Sequence, residues 1–204
     1  MEILDLSPVM PVVVVDDAAD AAPIARALLA GGIRVIELTL RTPAALEAIE
    51  RVAAEVPDIA LGAGTVTTPE QAKQAADAGA SFLVTPGCTE RVLAAATGTG
   101  LPFLPGASTV SEAMVLAERG LTALKFFPAE PSGGAAFLKA IAGPLPGLKF
   151  CPTGGITLQS APHYLALPNV GCVGGTWLTP KDAVVAKDFA RIEHLAREAS
   201  ALRS

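Results

Sequence analysis

Charge is scarce in this 204-residue chain, where Asp, Glu, Lys and Arg together make up 17%. Hydrophobic residues make up 51%, which is ample for a large core and argues against disorder. There is no Lys/Arg cluster and the formal net charge is -5, so nucleic acid is not an expected partner. The mean hydropathy of +0.48 is high. Even so, no apolar stretch reaches the roughly 18 residues needed to span a bilayer, and no membrane partner is expected. Met1-Glu2-Ile3-Leu4-Asp5 carries acid where an export signal carries positive charge. Histidine is limited to His163 and His194, without HxH or HExxH spacing, so a zinc site has no obvious ligands. Cysteine is limited to Cys88, Cys151 and Cys172, an odd set without CxxC. Such a set reads as reduced thiols in a reducing, cytoplasmic compartment. A catalytic thiol would want a positioned histidine, and both histidines fall in segments far from the strand ends.

What is present is one rhythm. Strand-like runs recur at 11–15, 35–40, 60–63, 82–84, 102–104, 123–127, 149–151 and 171–173. Alanine-rich stretches with helical spacing lie between them at 19–30, 43–55, 69–78, 89–97, 110–119 and 134–142. Thr42, Thr68 and Ser108 stand where N-caps or first-turn residues belong, and Gly31-Gly32, Gly79 and Gly120 close helices. The spacing predicts an α/β chain of eight strand–helix units, a single-domain (β/α)8 TIM barrel over 1–204. A short helix within 1–7 would cap its bottom, and a final helix over 187–202 would follow the eighth strand. A flavodoxin-like open sheet is the competing architecture.

Two charged residues stand in apolar company. Lys125 lies in Ala123-Leu124-Lys125-Phe126-Phe127-Pro128-Ala129-Glu130, a run with the residue mix of a buried strand. Burying an ammonium is costly, and an amine that sheds its proton becomes a nucleophile able to form Schiff bases with carbonyls. The bland alternative is a lysine snorkelling at a strand end. Glu37 is the second anomaly. Strand alternation puts Val35, Glu37 and Thr39 on one face and Ile36, Leu38 and Leu40 on the other. An acid on that inward face is either half of a salt bridge, to Arg41 or Lys125, or a general acid/base.

In a barrel the chemistry gathers at the carboxyl ends of the strands. Thr153-Gly154-Gly155-Ile156 and Gly174-Gly175-Thr176-Trp177 follow the seventh and eighth strands, where barrels commonly hold phosphate. Glycine lets backbone N–H groups approach an anion, although either pair alone would also suit a tight turn. Arg41 and Thr65 are candidates for gripping a small carboxylate, the arginine through its fork; otherwise Arg41 is a solvated loop residue.

Taken together, these segments resemble the 2-keto-3-deoxy-6-phosphogluconate (KDPG) aldolases. The resemblance rests on Leu124-Lys125-Phe126-Phe127-Pro128-Ala129-Glu130, Ile141-Ala142-Gly143-Pro144, Phe150-Cys151-Pro152-Thr153-Gly154-Gly155-Ile156 and Gly174-Gly175-Thr176-Trp177-Leu178. Upstream, Ile36-Glu37-Leu38-Thr39-Leu40-Arg41-Thr42, Gly62-Ala63-Gly64-Thr65-Val66 and Thr85-Pro86-Gly87 fit in order and spacing. The resemblance implies a class I aldolase, a homotrimer of barrels working without metal or other cofactor on a phosphorylated keto acid. It implies Lys125 as the Schiff-base residue and Glu37 as the proton carrier. It also implies Arg41 and Thr65 on the pyruvate carboxylate, Pro86 and Phe127 lining the site, and Thr153, Gly154, Gly155, Gly174, Gly175 and Thr176 around the phosphate. Many members carry serine where Thr176 stands, and the added methyl bears on the aldehyde pocket. The C4 epimer from the galactonate series and unphosphorylated 4-hydroxy-2-oxoglutarate stay open as substrates. Less favoured are a phosphosugar epimerase, a metal-dependent aldolase and a binding protein on the same scaffold.

Overall fold

The structure, a computed structural model, describes residues 3–203; Met1 and Glu2 of the expected N-terminal helix lie outside the described residues. The rest of that segment forms a 3-10 turn at Ile3–Asp5. All strand pairing is parallel. The strands are β1 (Val9–Val13), β2 (Val35–Thr39), β3 (Ala60–Gly64), β4 (Phe82–Val84), β5 (Phe103–Leu104), β6 (Gly106–Ala107), β7 (Ala123–Phe126), β8 (Lys149–Pro152) and β9 (Val173–Gly175). One sheet runs β5-β4-β3-β2-β1-β9 and a second runs β6-β7-β8. Isolated parallel bridges, Phe150 to Val170 and Thr153 to Gly174, tie the line of β8 to that of β9. The result is an α/β fold around a curled parallel sheet.

The helices are α1 (Ala21–Ala30), α2 (Ala45–Glu55), α3 (Pro69–Asp77), α4 (Glu90–Gly98), α5 (Val110–Glu118), α6 (Gly134–Ile141), α7 (Ala161–Leu165), α8 (Lys181–Val185) and α9 (Phe189–Ser200). Their start signals differ in quality. Thr68 and Gln71 form a reciprocal capping box that fixes the start of α3. For α5 the cap is Thr109, not the expected Ser108. Thr109 bonds reciprocally with Glu112, and Ser108 joins the same carboxylate from outside. Thr42 does not cap α2, because its hydroxyl donates to the Val15 carbonyl at 2.6 Å and the helix begins at Ala45. The expected final helix is α9, begun by the Asp188 side chain accepting from the Arg191 N–H.

The fifth strand departs from expectation. It does not end at Leu104 but resumes as β6 after Pro105. Proline offers no N–H to a ladder, and the Gly106 N–H donates to the Thr85 hydroxyl at 3.1 Å instead. A Cβ on Gly106 would overlap the Pro86 backbone, so only glycine lets these two strand ends meet.

Alternation along the strands sorts the core into two layers. Ile36, Leu38, Leu83, Leu124, Phe126 and Phe150 join the helices in one cluster. Met10, Val35, Phe82, Val84, Leu104, Cys151 and Cys172 form a second, floored by Ile3 and Leu4. Lys125 and Glu37 share the parity of this inner set, each placed further towards the carboxyl ends of the strands than its apolar members at Ala123 and Val35.

Candidate active site

Glu37 and Lys125 are 88 positions apart in the chain, and the parallel sheet brings them together. Register puts Glu37 on β2 between Val12 and Gly62, and Lys125 on β7 between Gly106 and Cys151. The Lys125 Nζ donates to Glu37 Oε1 at 3.0 Å and to Oε2 at 3.2 Å. Both residues are buried, with 3% and 1% of their surfaces exposed. Lys125 therefore does not snorkel, and Glu37 pairs with Lys125 and not with Arg41. Desolvating two charges offsets much of their attraction, so such a pair is weak evidence of a stabilising role. The Phe127 ring centroid lies 5.6 Å from Nζ, close enough for its face to favour a cation.

Small residues make room for the pair. A Cβ on Gly64 would overlap the Glu37 carboxylate, so that glycine is what admits an acid here. Thr65 follows with φ of 58°, a left-handed conformation that costs a β-branched residue roughly 1–3 kcal/mol. The Val66 N–H donates to the Val84 carbonyl at 3.1 Å and pins the turn. The turn aims the Thr65 hydroxyl at Arg41, whose Nε donates to it at 3.0 Å. Pro86 is half-buried beside Gly106, the register partner of Lys125.

The glycine pairs adjoin one another. Thr153 bridges to Gly174, and a Cβ on Gly174 would overlap the Thr153 side chain. Gly154 and Gly155 have φ of 108° and 83°, which glycine adopts readily. Gly154 packs on Pro128 and Ala129, three and four residues past Lys125. The Ala129 and Glu130 N–H groups donate to the Thr153 and Gly154 carbonyls at 2.8 and 3.1 Å. These bonds hold the loop by its carbonyls and point its N–H edge the other way. The indole ring of Trp177 covers Gly175. Thr176 is exposed just past β9 and lines a cleft of about 590 Å³ with Val14, Asp16 and Trp177. A separate cleft of about 560 Å³ lies at the opposite end of the sheet, between Ile3, Leu4, Pro102, Thr122 and Lys149.

Of the other candidates, His163 sits in α7 and His194 in α9, the latter 3.7 Å from Glu198. Burial, then Glu90, pushes the Cys88 thiol up to about 11, which leaves it a poor nucleophile. Two contacts near the site carry no local sequence signal. Thr85 is buried and holds the β5–β6 junction, and Tyr164 donates to Glu130 Oε1 at 2.5 Å. A chain with a single tyrosine invites a question about that residue, but nothing in its spacing points to Glu130.

Residues 1–195 match the family model for KDPG and KHG aldolase. This chain belongs to that family. A 2-dehydro-3-deoxy-phosphogluconate aldolase from Dickeya dadantii (strain 3937) is 54% identical over 98% of this chain and 94% of its own length. A KHG/KDPG aldolase from Escherichia coli (strain K12) is 52% identical over 97% of this chain and 92% of its own. Among solved structures, KDPG aldolase from Legionella pneumophila, with pyruvate captured at low pH as a covalent carbinolamine, superposes with a TM-score of 0.95. It is 45% identical and covers 97% of this chain and 96% of that one. Members of the KDPG and KHG aldolase family are thus similar to this chain over nearly its whole length, the Lys125–Glu37 segments included.

Proposed function

We propose that this protein is a class I aldolase that cleaves 2-dehydro-3-deoxy-6-phosphogluconate to pyruvate and glyceraldehyde 3-phosphate. The observation that carries the reading is the Lys125 amine held 3.0 Å from the Glu37 carboxylate on a buried inner face. The carbinolamine of the Legionella relative supports the same chemistry.

Lys125 passes a proton to Glu37, and its Nζ lone pair adds to the substrate keto carbon to give a carbinolamine. Glu37 returns that proton to the hydroxyl, water leaves and an iminium forms. The iminium is an electron sink, so the bond between carbons three and four breaks towards it without a metal. The C4 hydroxyl loses its proton to Glu37, directly or through water, as the aldehyde departs. An enamine of pyruvate remains. Glu37 reprotonates its terminal carbon, and hydrolysis frees pyruvate and the amine. Arg41 and Thr65 grip the pyruvate carboxylate, while Pro86 and Phe127 line the site. Thr153, Gly154, Gly155, Gly174, Gly175 and Thr176 hold the phosphate.

The Escherichia coli relative's double name gives 4-hydroxy-2-oxoglutarate a specific claim as a second substrate, and the galactonate epimer differs at a single carbon. Side-by-side kcat/KM values should put the gluconate compound first by at least about tenfold, the scale of one or two polar contacts in a pocket. Failure to release pyruvate from any of the three would sink the reading.

We also infer that residues 1–204 form one eight-stranded barrel, β5 and β6 being halves of its fifth strand, and that three copies associate. The bridges between β8 and β9 support closure. Val110, Met114 and Val115, 37–50% exposed on α5, support an apolar subunit contact. The odd, widely spaced set of Cys88, Cys151 and Cys172 suits a reducing compartment. Sedimentation should give three times the 20.7 kDa chain mass, with one cooperative thermal transition. A monomer, or two separate transitions, would contradict the assembly.

A further inference from the structure

We propose that Tyr164 is a positioning residue for the phosphate end of the substrate, acting through Glu130 on the Gly154–Gly155 loop. The inference rests on the reading of that loop as the phosphate site.

Tyr164 is the only tyrosine in the chain and is 1% exposed. It stands in α7, the short helix that follows the glycine loop, and its hydroxyl donates to Glu130 Oε1 at 2.5 Å. The same hydroxyl lies against the backbone of Gly134, where an added Cβ would come within 3.0 Å. Gly134 opens α6 with φ of 57°. The phenol thus touches the start of α6, the turn after β7 and, through its own helix, the end of the glycine loop. Burial, then Glu130, raises its pKa above the ordinary tyrosine value, which keeps the hydroxyl a donor at any physiological pH.

Glu130 grips the glycine loop twice. Its backbone N–H donates to the Gly154 carbonyl at 3.1 Å, and its side-chain stem covers Gly155, where a Cβ would come within 2.7 Å of Glu130 Cγ. It is an exposed acid beside a loop whose proposed ligand is an anion. A carboxylate free to rotate there would repel a phosphate and compete for the same N–H groups. The Tyr164 hydroxyl holds one carboxylate oxygen, and the other lies beside Gly134 at the start of α6. Tying down this acid keeps the N–H edge open to phosphate and stiffens the loop that presents it.

The test is Tyr164→Phe, which removes one oxygen and keeps the ring in the core. A hydrogen bond to a charged group, expressed in binding, is worth about 10- to 100-fold. KM for the phosphorylated substrate should rise about tenfold at nearly constant kcat. Turnover of unphosphorylated 4-hydroxy-2-oxoglutarate should stay within about twofold of wild type. Adding Glu130→Gln, which removes the charge, should recover most of the lost affinity. The Kd for inorganic phosphate, by calorimetry, should weaken in parallel in Tyr164→Phe and recover in the double variant. That arm reads the inference even if wild type cleaves none of the proposed substrates. Unchanged phosphate affinity, equal loss on both substrates or no recovery with Glu130→Gln would overturn it.

Discussion

Lys125→Arg should leave a folded protein with aldolase turnover reduced by more than about 10⁴-fold, the scale seen when a covalent nucleophile is removed. Arginine is the informative replacement. Its guanidinium keeps a positive charge against Glu37, so the buried pair survives, but it does not give up its proton to become a nucleophile. Lys125→Ala should be equally inactive and much less stable. It leaves the 1%-exposed Glu37 without a counter-charge, at a cost of about 3–5 kcal/mol. Pyruvate with borohydride completes the experiment. Borohydride reduces the iminium to a secondary amine and fixes pyruvate to the chain. Peptide mapping of wild type should find that adduct on Lys125 alone, and neither variant should carry it. Label on another lysine, or near-normal turnover in Lys125→Arg, would end the proposal.

The pair was legible because both residues break a short-range rule. A lysine inside Ala123–Phe126 and an acid inside Val35–Thr39 violate the apolar character of strands buried on both faces. The period of two then gives them a common face. Thr68 at the start of α3 is an equally local signal. What escaped the sequence depends on competition or on distance. Ser108 and Thr109 are adjacent hydroxyls of similar capping strength, and the backbone's extended turn at Thr109 decides between them. Pro105 marks a strand break only once Gly106 is seen to surrender its N–H to Thr85, 21 positions upstream. The Tyr164–Glu130 contact spans 34 positions and two connecting loops, and no periodicity encodes such a bond. The glycines proposed to hold phosphate are readable as glycines. Their mutual support is not, because Gly174 and Thr153 meet only when the β8 and β9 lines do.

Glu37→Gln should lower kcat by about 10²–10⁴-fold, the usual contribution of a positioned general acid/base, while substrate affinity changes little. Glutamine has nearly the shape of glutamate, so it fits the space left by Gly64 and between Val12 and Gly62, and its amide oxygen accepts from Lys125 as the carboxylate did. It does not carry a proton from one step to the next. The reaction asks for several such transfers, in carbinolamine formation, loss of water, release of the aldehyde and reprotonation of the enamine. Binding asks for none, since in the proposed reading Arg41, Thr65 and the glycine loops hold the two ends of the molecule elsewhere. The amine also stays in place, so borohydride should still trap pyruvate on Lys125 in this variant, only more slowly. That combination separates a proton carrier from a structural counter-charge. A structural partner would show its loss in the melting temperature and leave kcat of the folded fraction intact. If Glu37→Gln turned over at close to the wild-type rate, the proton would have to travel by another group. Among the described residues no other carboxylate is shown bonded to Lys125.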